Sequence, residues 1–312
     1  MATAAITVDL DTTRHYRAIH GLPDVDTRST LDAAYDCGVA RLLELFAEFD
    51  IPATLFVIGE DVDAHPSHRA LLTRAHAAGH ELGNHTYTHP YNLRELGAAR
   101  ITEELELAER AIASVTGATP VGFRTPGYNV DDALFALVEE RGYLYDSSIF
   151  PCPAYYLAKA GVMSYLKLRG TPSGSAMVPA RTQVAPTSAY KPSRASIAAR
   201  GLRSRRMWEV PMCVVPGARL PVIGTSLTMM GWAGFKGIYP ALELRYRSLL
   251  QLEFHAIDFM DASDPGVQDL VEHQPDLRIP WHLKRDLFSR IFERVARRYE
   301  FDTLANALNK MG

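Results

Sequence analysis

Between residues 4 and 150 short apolar runs alternate with longer segments of helical period, and this rhythm constrains the fold of the 312-residue chain more than any other feature. Residues 4–9 read as a strand. Residues 29–49 read as an amphipathic helix: Leu31, Tyr35, Val39, Leu42, Leu43, Phe46 and Phe49 recur near the 3.6-residue period, and Ser29 is placed to cap it. The unbroken apolar run 53–58 is what a parallel strand buried on both faces requires. A helix over 66–78 ends at Gly79, HELGNH follows as a strand, and a helix over 95–116 stops at Gly117. VGFR, a helix over 131–141 and the strand YLYDSS complete the series. Strands that alternate with helices in this way predict an α/β fold with mostly parallel strands. In such folds, functional side chains gather at the C-terminal strand ends.

The rhythm breaks near Pro151. Residues 151–207 are rich in Pro, Ser and Ala, and Lys191 to Arg206 carry six basic residues and no acid. We read this stretch as a long insertion in a single domain over 1–312. Strand-like WEVPMCVV and LLQLEFHAI follow, then helices over 280–298 and 302–309. With 47% apolar and 22% charged residues the chain can bury a full core. A net charge of −3 gives no global field for nucleic acid. Cys37, Cys152 and Cys213 form no CxxC pair, which argues against thiolate zinc. The start carries no signal-peptide pattern. The uncharged stretch between Arg219 and Lys236 is interrupted by Pro221 and Gly231 and falls short of the ~20 residues of a membrane span. The expectation is a cytoplasmic protein. The basic run, with Met229, Met230, Trp232, Phe235 and Tyr239, is either a solvated loop beside a core strand or a lid touching the inner membrane face.

Several residues can carry chemistry. In AITVDLDTT, Asp9 and Asp11 share one face of a strand, where two carboxylates repel unless a cation or a shared proton compensates. In GHELGNHTYTHP, His85 and His89 are four apart, so one helical turn would place both imidazoles on one side for a metal. Two His and one Asp leave open positions for water, the arrangement of a hydrolytic site. Arg124 precedes a Pro-Gly turn whose backbone N–H groups can face an oxyanion. His255, at the end of LEFHAIDF, can protonate a leaving group, and Asp146 can orient such a histidine. Taken singly, His255 reads better as a core histidine satisfied by a neighbour, and Asp146 also fits a strand-end turn former.

Together IPATLFVIG, AGHELGNHTYTHP, GFRTPGY, YLYDSS and the closing FDTLANAL resemble the polysaccharide deacetylase superfamily, carbohydrate esterase family 4. The resemblance covers residues 4–150 and, more loosely, 207–310. It implies a distorted or incomplete (β/α) barrel with fewer than eight strands, and a metal-dependent amide hydrolase that removes an acetyl or formyl group from an amino sugar. It implies a divalent metal on Asp11, His85 and His89: zinc first, with cobalt, nickel or manganese as alternatives. It further implies Asp9 as general base, Arg124 orienting that base, Tyr128 beside Gly127 as oxyanion donor, and His255 as general acid with Asp146 behind it.

Three departures bear on these roles. Leu10 separates Asp9 from Asp11, so base and ligand remain interchangeable, with Asp11 the first choice as ligand. Gly127 precedes Tyr128 where an aromatic usually precedes the Gly. Ser148 onward replaces the usual second Asp and Trp. The DxDT spelling resembles deformylases of lipid-linked formamido-arabinose, which makes a lipid-linked amino sugar one option for the substrate. The competing readings are an allantoinase-like C–N hydrolase that dispenses with metal, and a non-catalytic sugar- or lipid-binding relative.

Overall fold

A computed structural model of the protein describes residues 2–23, 32–170 and 173–312. The expected helix start at Ser29 and Leu31 lies outside the described residues. β1 (Ala2–Asp9) is buried along nearly its whole length. α1 (Thr13–His20) follows at once and buries Tyr16 together with Thr13, His15 and Arg17. Its start is fixed by a reciprocal cap: Thr12 N donates to His15 Nδ1 at 3.1 Å, and Thr12 Oγ1 lies 3.0 Å from the same nitrogen. A π-helical stretch over Ala34–Val39 leads into α2 (Ala40–Glu48). Gly38 belongs to that stretch because a Cβ there would stand 2.5 Å from the Ala256 carbonyl oxygen.

The middle elements agree with the sequence rhythm. They are β2 (Thr54–Val57), α3 (Gly59–Ala64), α4 (Pro66–Ala77), β3 (Glu81–Asn84), α5 (Ala98–Thr116), β4 (Gly122–Phe123), α6 (Asp132–Glu140) and β5 (Tyr145–Asp146). Gly117 closes α5 in the left-handed conformation at φ 75°. The remainder is α7 (Pro153–Leu168), β6 (Trp208–Glu209), α8 (Gly224–Arg245), β7 (Leu249–His255), α9 (Trp281–Ala296), β8 (Tyr299–Phe301) and α10 (Leu304–Asn309).

The strands form one sheet in the order β6-β5-β4-β3-β2-β1-β7, with β8 pairing the start of β1. The pairs β1–β7, β1–β8, β3–β4, β4–β5 and β5–β6 are all parallel. The fold is the expected α/β class, a distorted, incomplete (β/α) barrel. The described residues nevertheless form eight strands rather than fewer, because the short YEF strand adds to β1.

The chain divides into two compact units. One comprises Met1–Leu55, Ala70–Glu81 and Val222–Gly312; the other comprises Phe56–Arg69 and Leu82–Pro221. The first has an aromatic core: Phe259 packs on Phe46, Phe254 and Phe288, and Phe292 packs on Phe46 and Phe254. The apolar stretch, read as part of either a loop beside a core strand or a lid, enters this core as α8, where Phe235 and Tyr239 are buried. Arg294 of α9 lies over the Tyr239 ring at 4.4 Å.

The second unit buries Leu93, Leu105, Phe123, Leu134, Phe135 and Val138 together with Ala185, Ile197 and Met207. The 151–207 excursion therefore supplies core side chains as well as surface. Three of the six basic side chains in its Lys191–Arg206 run are engaged within the unit. Lys191 sits over Trp208 at 4.9 Å, Arg200 over Tyr190 at 5.7 Å, and Arg205 reaches Glu139 at 3.1 Å. Among the described residues no helix is long and apolar enough to cross a membrane.

Gly122 is required where β4 meets β5, because a Cβ there would overlap the Tyr145 hydroxyl and ring. Gly122→Ala is expected to destabilise the protein by about 1–3 kcal/mol or more, through overpacking at a strand that cannot shift. Denaturant unfolding monitored by fluorescence and circular dichroism reads this directly.

Candidate metal centre and active site

Every candidate side chain stands at or just beyond the C-terminal end of its strand: Asp9 and Asp11 on β1, His85 on β3, Arg124 on β4, Asp146 on β5 and His255 on β7. Asp11, His85 and His89 are buried, and their ligand atoms all lie within 4.8 Å of one another. Donors bound tetrahedrally to one ion at about 2.0–2.2 Å sit roughly 3.3–3.6 Å apart, so this set can close on a divalent cation with shifts of about an ångström.

The two histidines meet differently from the expectation. Residues 85–89 form no helical turn. They form a loop in which Thr86 and His89 take φ of 67° and 58°, and the rings of His85 and His89 meet edge-on at 4.8 Å between centroids. Buried polar groups hold that strained backbone. Asn84 Oδ1 accepts from Thr86 N at 2.7 Å, while Asn84 Nδ2 donates to the Tyr143 hydroxyl at 2.7 Å and to the Leu105 carbonyl at 3.2 Å. Glu104 of α5 is fully buried and accepts from Thr88 N and Thr88 Oγ1, each at 2.8 Å, and from Tyr87 N at 3.1 Å.

His85 Nδ1 lies 2.8 Å from the Arg124 carbonyl oxygen. A carbonyl only accepts, so Nδ1 carries the proton and Nε2 presents its lone pair to a metal. Glu104→Ala is expected to weaken metal binding about 10–100-fold with all three ligands intact, because the loop loses its anchor. Competition with a chromogenic chelator measures that affinity.

Asp9, Glu253 and His255 form a second cluster. The parallel register sets Asp9 beside His255 and Thr7 beside Glu253. His255 Nδ1 is 3.2 Å from Glu253 Oε1, and Nε2 is 3.8 Å from Asp9 Oδ2. Burial disfavours the charged ring, but Glu253, followed by Asp9, Asp11 and Asp258, outweighs it and holds the pKa up at about 9. The imidazole is thus a proton donor at neutral pH.

The carboxylate expected behind His255 is accordingly Glu253, its neighbour two residues earlier on the same strand face, and not Asp146. Asp146 instead accepts a short hydrogen bond from Ser148 Oγ and pairs across the β5–β6 register with Glu209. Burial pushes both carboxyls up, Asp146 to about 6 and Glu209 further. One proton shared between them, with Arg124 nearby, leaves the pair close to electroneutral.

Arg124 is fully buried. Its Nε donates to the Ser147 carbonyl at 2.7 Å, its NH2 to Ser147 Oγ at 2.9 Å, and its guanidinium lies 4.1 Å from the Phe56 ring centroid. Gly127 and Tyr128 both have positive φ, 61° and 62°. Tyr128 N donates to the Thr125 carbonyl at 3.3 Å, so the N–H expected to meet an oxyanion is engaged within its own turn.

A parallel α/β sheet with one aspartate and two histidines within ligand distance at its strand ends defines a class of protein built to hold a divalent ion. Residues 25–145 match the family described as polysaccharide deacetylase. A chitin deacetylase from Pestalotiopsis sp is 30% identical over 104 residues, covering 33% of this chain and 35% of that protein. A peptidoglycan deacetylase from Helicobacter pylori is 28% identical over 145 residues, covering 46% of this chain and 47% of that protein. The crystal structure of Puue allantoinase has a TM-score of 0.60 at 15% identity, covering 98% of this chain and 88% of that one, a likeness of fold alone. The matches span less than half the length of these curated relatives. Over residues 25–145 the chain is similar to the polysaccharide deacetylase family, with distant likeness to chitin and peptidoglycan deacetylases.

Proposed function

We propose that the protein hydrolyses the amide of an N-acetylated amino sugar, with Asp11, His85 and His89 holding a divalent ion, zinc first among the candidates. The observation that carries this reading is the grouping of those three ligand atoms within 4.8 Å. The Asp9–Glu253–His255 cluster supports it by supplying a base and an acid. When held by these residues, a divalent ion would lower the pKa of water toward ~7 and polarise the amide carbonyl.

The side chains do the rest. Asp9 accepts a proton from the attacking water as the new C–O bond forms. An amine leaves poorly as an anion, so the C–N bond breaks as His255 gives its proton to the nitrogen. The products are acetate and the free amine. Glu253 keeps His255 charged until that step. Arg124 and the Asp146–Glu209 pair fix the backbone carbonyl that orients His85.

Acetyl is preferred to formyl because the curated relatives are named for chitin and peptidoglycan deacetylation. A lipid-linked substrate draws no support from the basic run, where Lys191, Arg200 and Arg205 are stacked or paired inside their own unit. The test is acetate release from chito-oligosaccharides and from acetylated peptidoglycan fragments, with allantoin as a parallel substrate. Acetate from either sugar supports the reading. Turnover of allantoin alone replaces it with the allantoinase-like alternative, and turnover of none with a binding protein.

A further inference from the structure

Lys159 lies on α7, in the excursion beyond the residues that match the family. It is a half-buried ammonium among aromatic rings. Its Nζ is 3.4 Å from the Gly127 carbonyl oxygen and 6.0 Å from the centroid of the Tyr155 ring. Tyr155 packs on Phe150 at 5.0 Å and on Tyr128 at 6.0 Å.

The lysine also reaches toward the metal-site loop. A Cβ on Gly127 would stand 3.7 Å from Lys159 Nζ and 2.8 Å from the Tyr91 ring. The Tyr91 ring in turn meets the His89 ring edge-on at 4.7 Å. Two residues therefore separate this ammonium from a candidate metal ligand.

Among the described residues, Lys159 makes no ion pair; its contacts are that one carbonyl and that one ring. A half-buried ammonium with a single long hydrogen bond has lost part of its hydration without gaining a counter-charge. Burial brings its pKa down to about 8, so it is still mostly charged at pH 7. A surface lysine would turn outward to water. This one is held over the Gly127–Tyr128 turn, where both residues carry left-handed backbone, and such strained, uncompensated positions cluster at ligand sites.

We propose that Lys159 is an anion-binding residue of the substrate subsite beside His89, pairing with a carboxylate or phosphate carried by the N-acylated amino sugar. The proposal rests on the deacetylase reading for the sugar but stands on its own geometry for the anion. It gives the excursion a role in substrate choice: the family-matching residues supply the hydrolytic centre, and α7 supplies a cation that selects acidic substrates.

The test uses equilibrium binding, so that it does not depend on turnover. Titration calorimetry on the full chain compares N-acetylmuramic acid, N-acetylglucosamine 6-phosphate and neutral N-acetylglucosamine. The first two separate a carboxylate source from a phosphate source. One or both acidic sugars are expected to bind about tenfold tighter than the neutral one, the scale of a hydrogen bond to a charged group. Lys159→Met is expected to abolish that ratio and Lys159→Arg to restore most of it. A ratio near one in the wild type, or a ratio unchanged in Lys159→Met, overturns the proposal. Acetate assays on the same preparations show separately whether the deacetylase reading stands. Anion preference without turnover leaves the subsite and removes the reaction, and turnover without preference does the reverse.

Discussion

Asp11→Asn is expected to lose bound divalent metal and turnover together, whereas Asp9→Asn keeps the metal and loses turnover alone. Asp11 belongs to the group formed with His85 and His89, and Asp9 to the group formed with Glu253 and His255. An amide oxygen is a far weaker ligand than a carboxylate, and two remaining histidines rarely retain a catalytic ion. Metal affinity is expected to fall by more than about 100-fold, beyond what loss of a supporting hydrogen bond costs. In Asp9→Asn the proton acceptor is gone, which costs about 10²–10⁴ in kcat with the ion in place. Metal analysis by mass spectrometry beside acetate-release kinetics separates the two. The opposite pattern would mean that Leu10 shifts the register and exchanges the roles.

His255→Gln is the second large effect. Loss of the proton donor is expected to lower kcat on an N-acetylated sugar about 10²–10⁴-fold with metal content unchanged. The penalty should depend on the leaving group. With 4-nitrophenyl acetate, whose phenolate leaves without a proton, His255→Gln is expected to cost less than about tenfold. An equal loss on both substrates would show that the histidine positions the site and does not deliver a proton. Glu253→Gln should share the amide-specific loss in weaker form, since the carboxylate that keeps the ring charged is removed.

Much of this site was legible in the sequence, and the misses have physical causes. Asp11, His85 and His89 come together as their spacing and the family resemblance implied. The reason given for the histidine pair was nevertheless wrong. A four-residue spacing fits a helical turn, and here it is produced by a loop with two left-handed residues that Asn84 and Glu104 hold in place. Glu104 is 15 residues or more from the groups it anchors, and a local pattern does not reveal that distance.

Glu253 was missed although its signal was present. Strand alternation puts Gln251, Glu253 and His255 on one face, and an acid on an otherwise apolar buried strand asks for a partner. Asp146 drew attention as a strand-end carboxylate, but its partner Glu209 lies beyond the excursion, paired only through the sheet. The same limit explains α8. The stretch interrupted by Pro221 and Gly231 reads as a loop or a lid, yet from Gly224 it is helical with a kink at Gly231, and Phe235 and Tyr239 carry it into the core.

The most direct test of the account is a metal titration read as acetate. Protein stripped with a chelator is given increasing zinc, and in parallel runs cobalt, nickel or manganese, with chito-oligosaccharide present. The expected result is no acetate from stripped protein, activity rising linearly to one equivalent of ion per chain, and no recovery in His85→Ala at the same concentrations. Full activity of the stripped protein, or equal recovery in His85→Ala, would contradict the assignment of Asp11, His85 and His89 as the metal centre of an amide hydrolase.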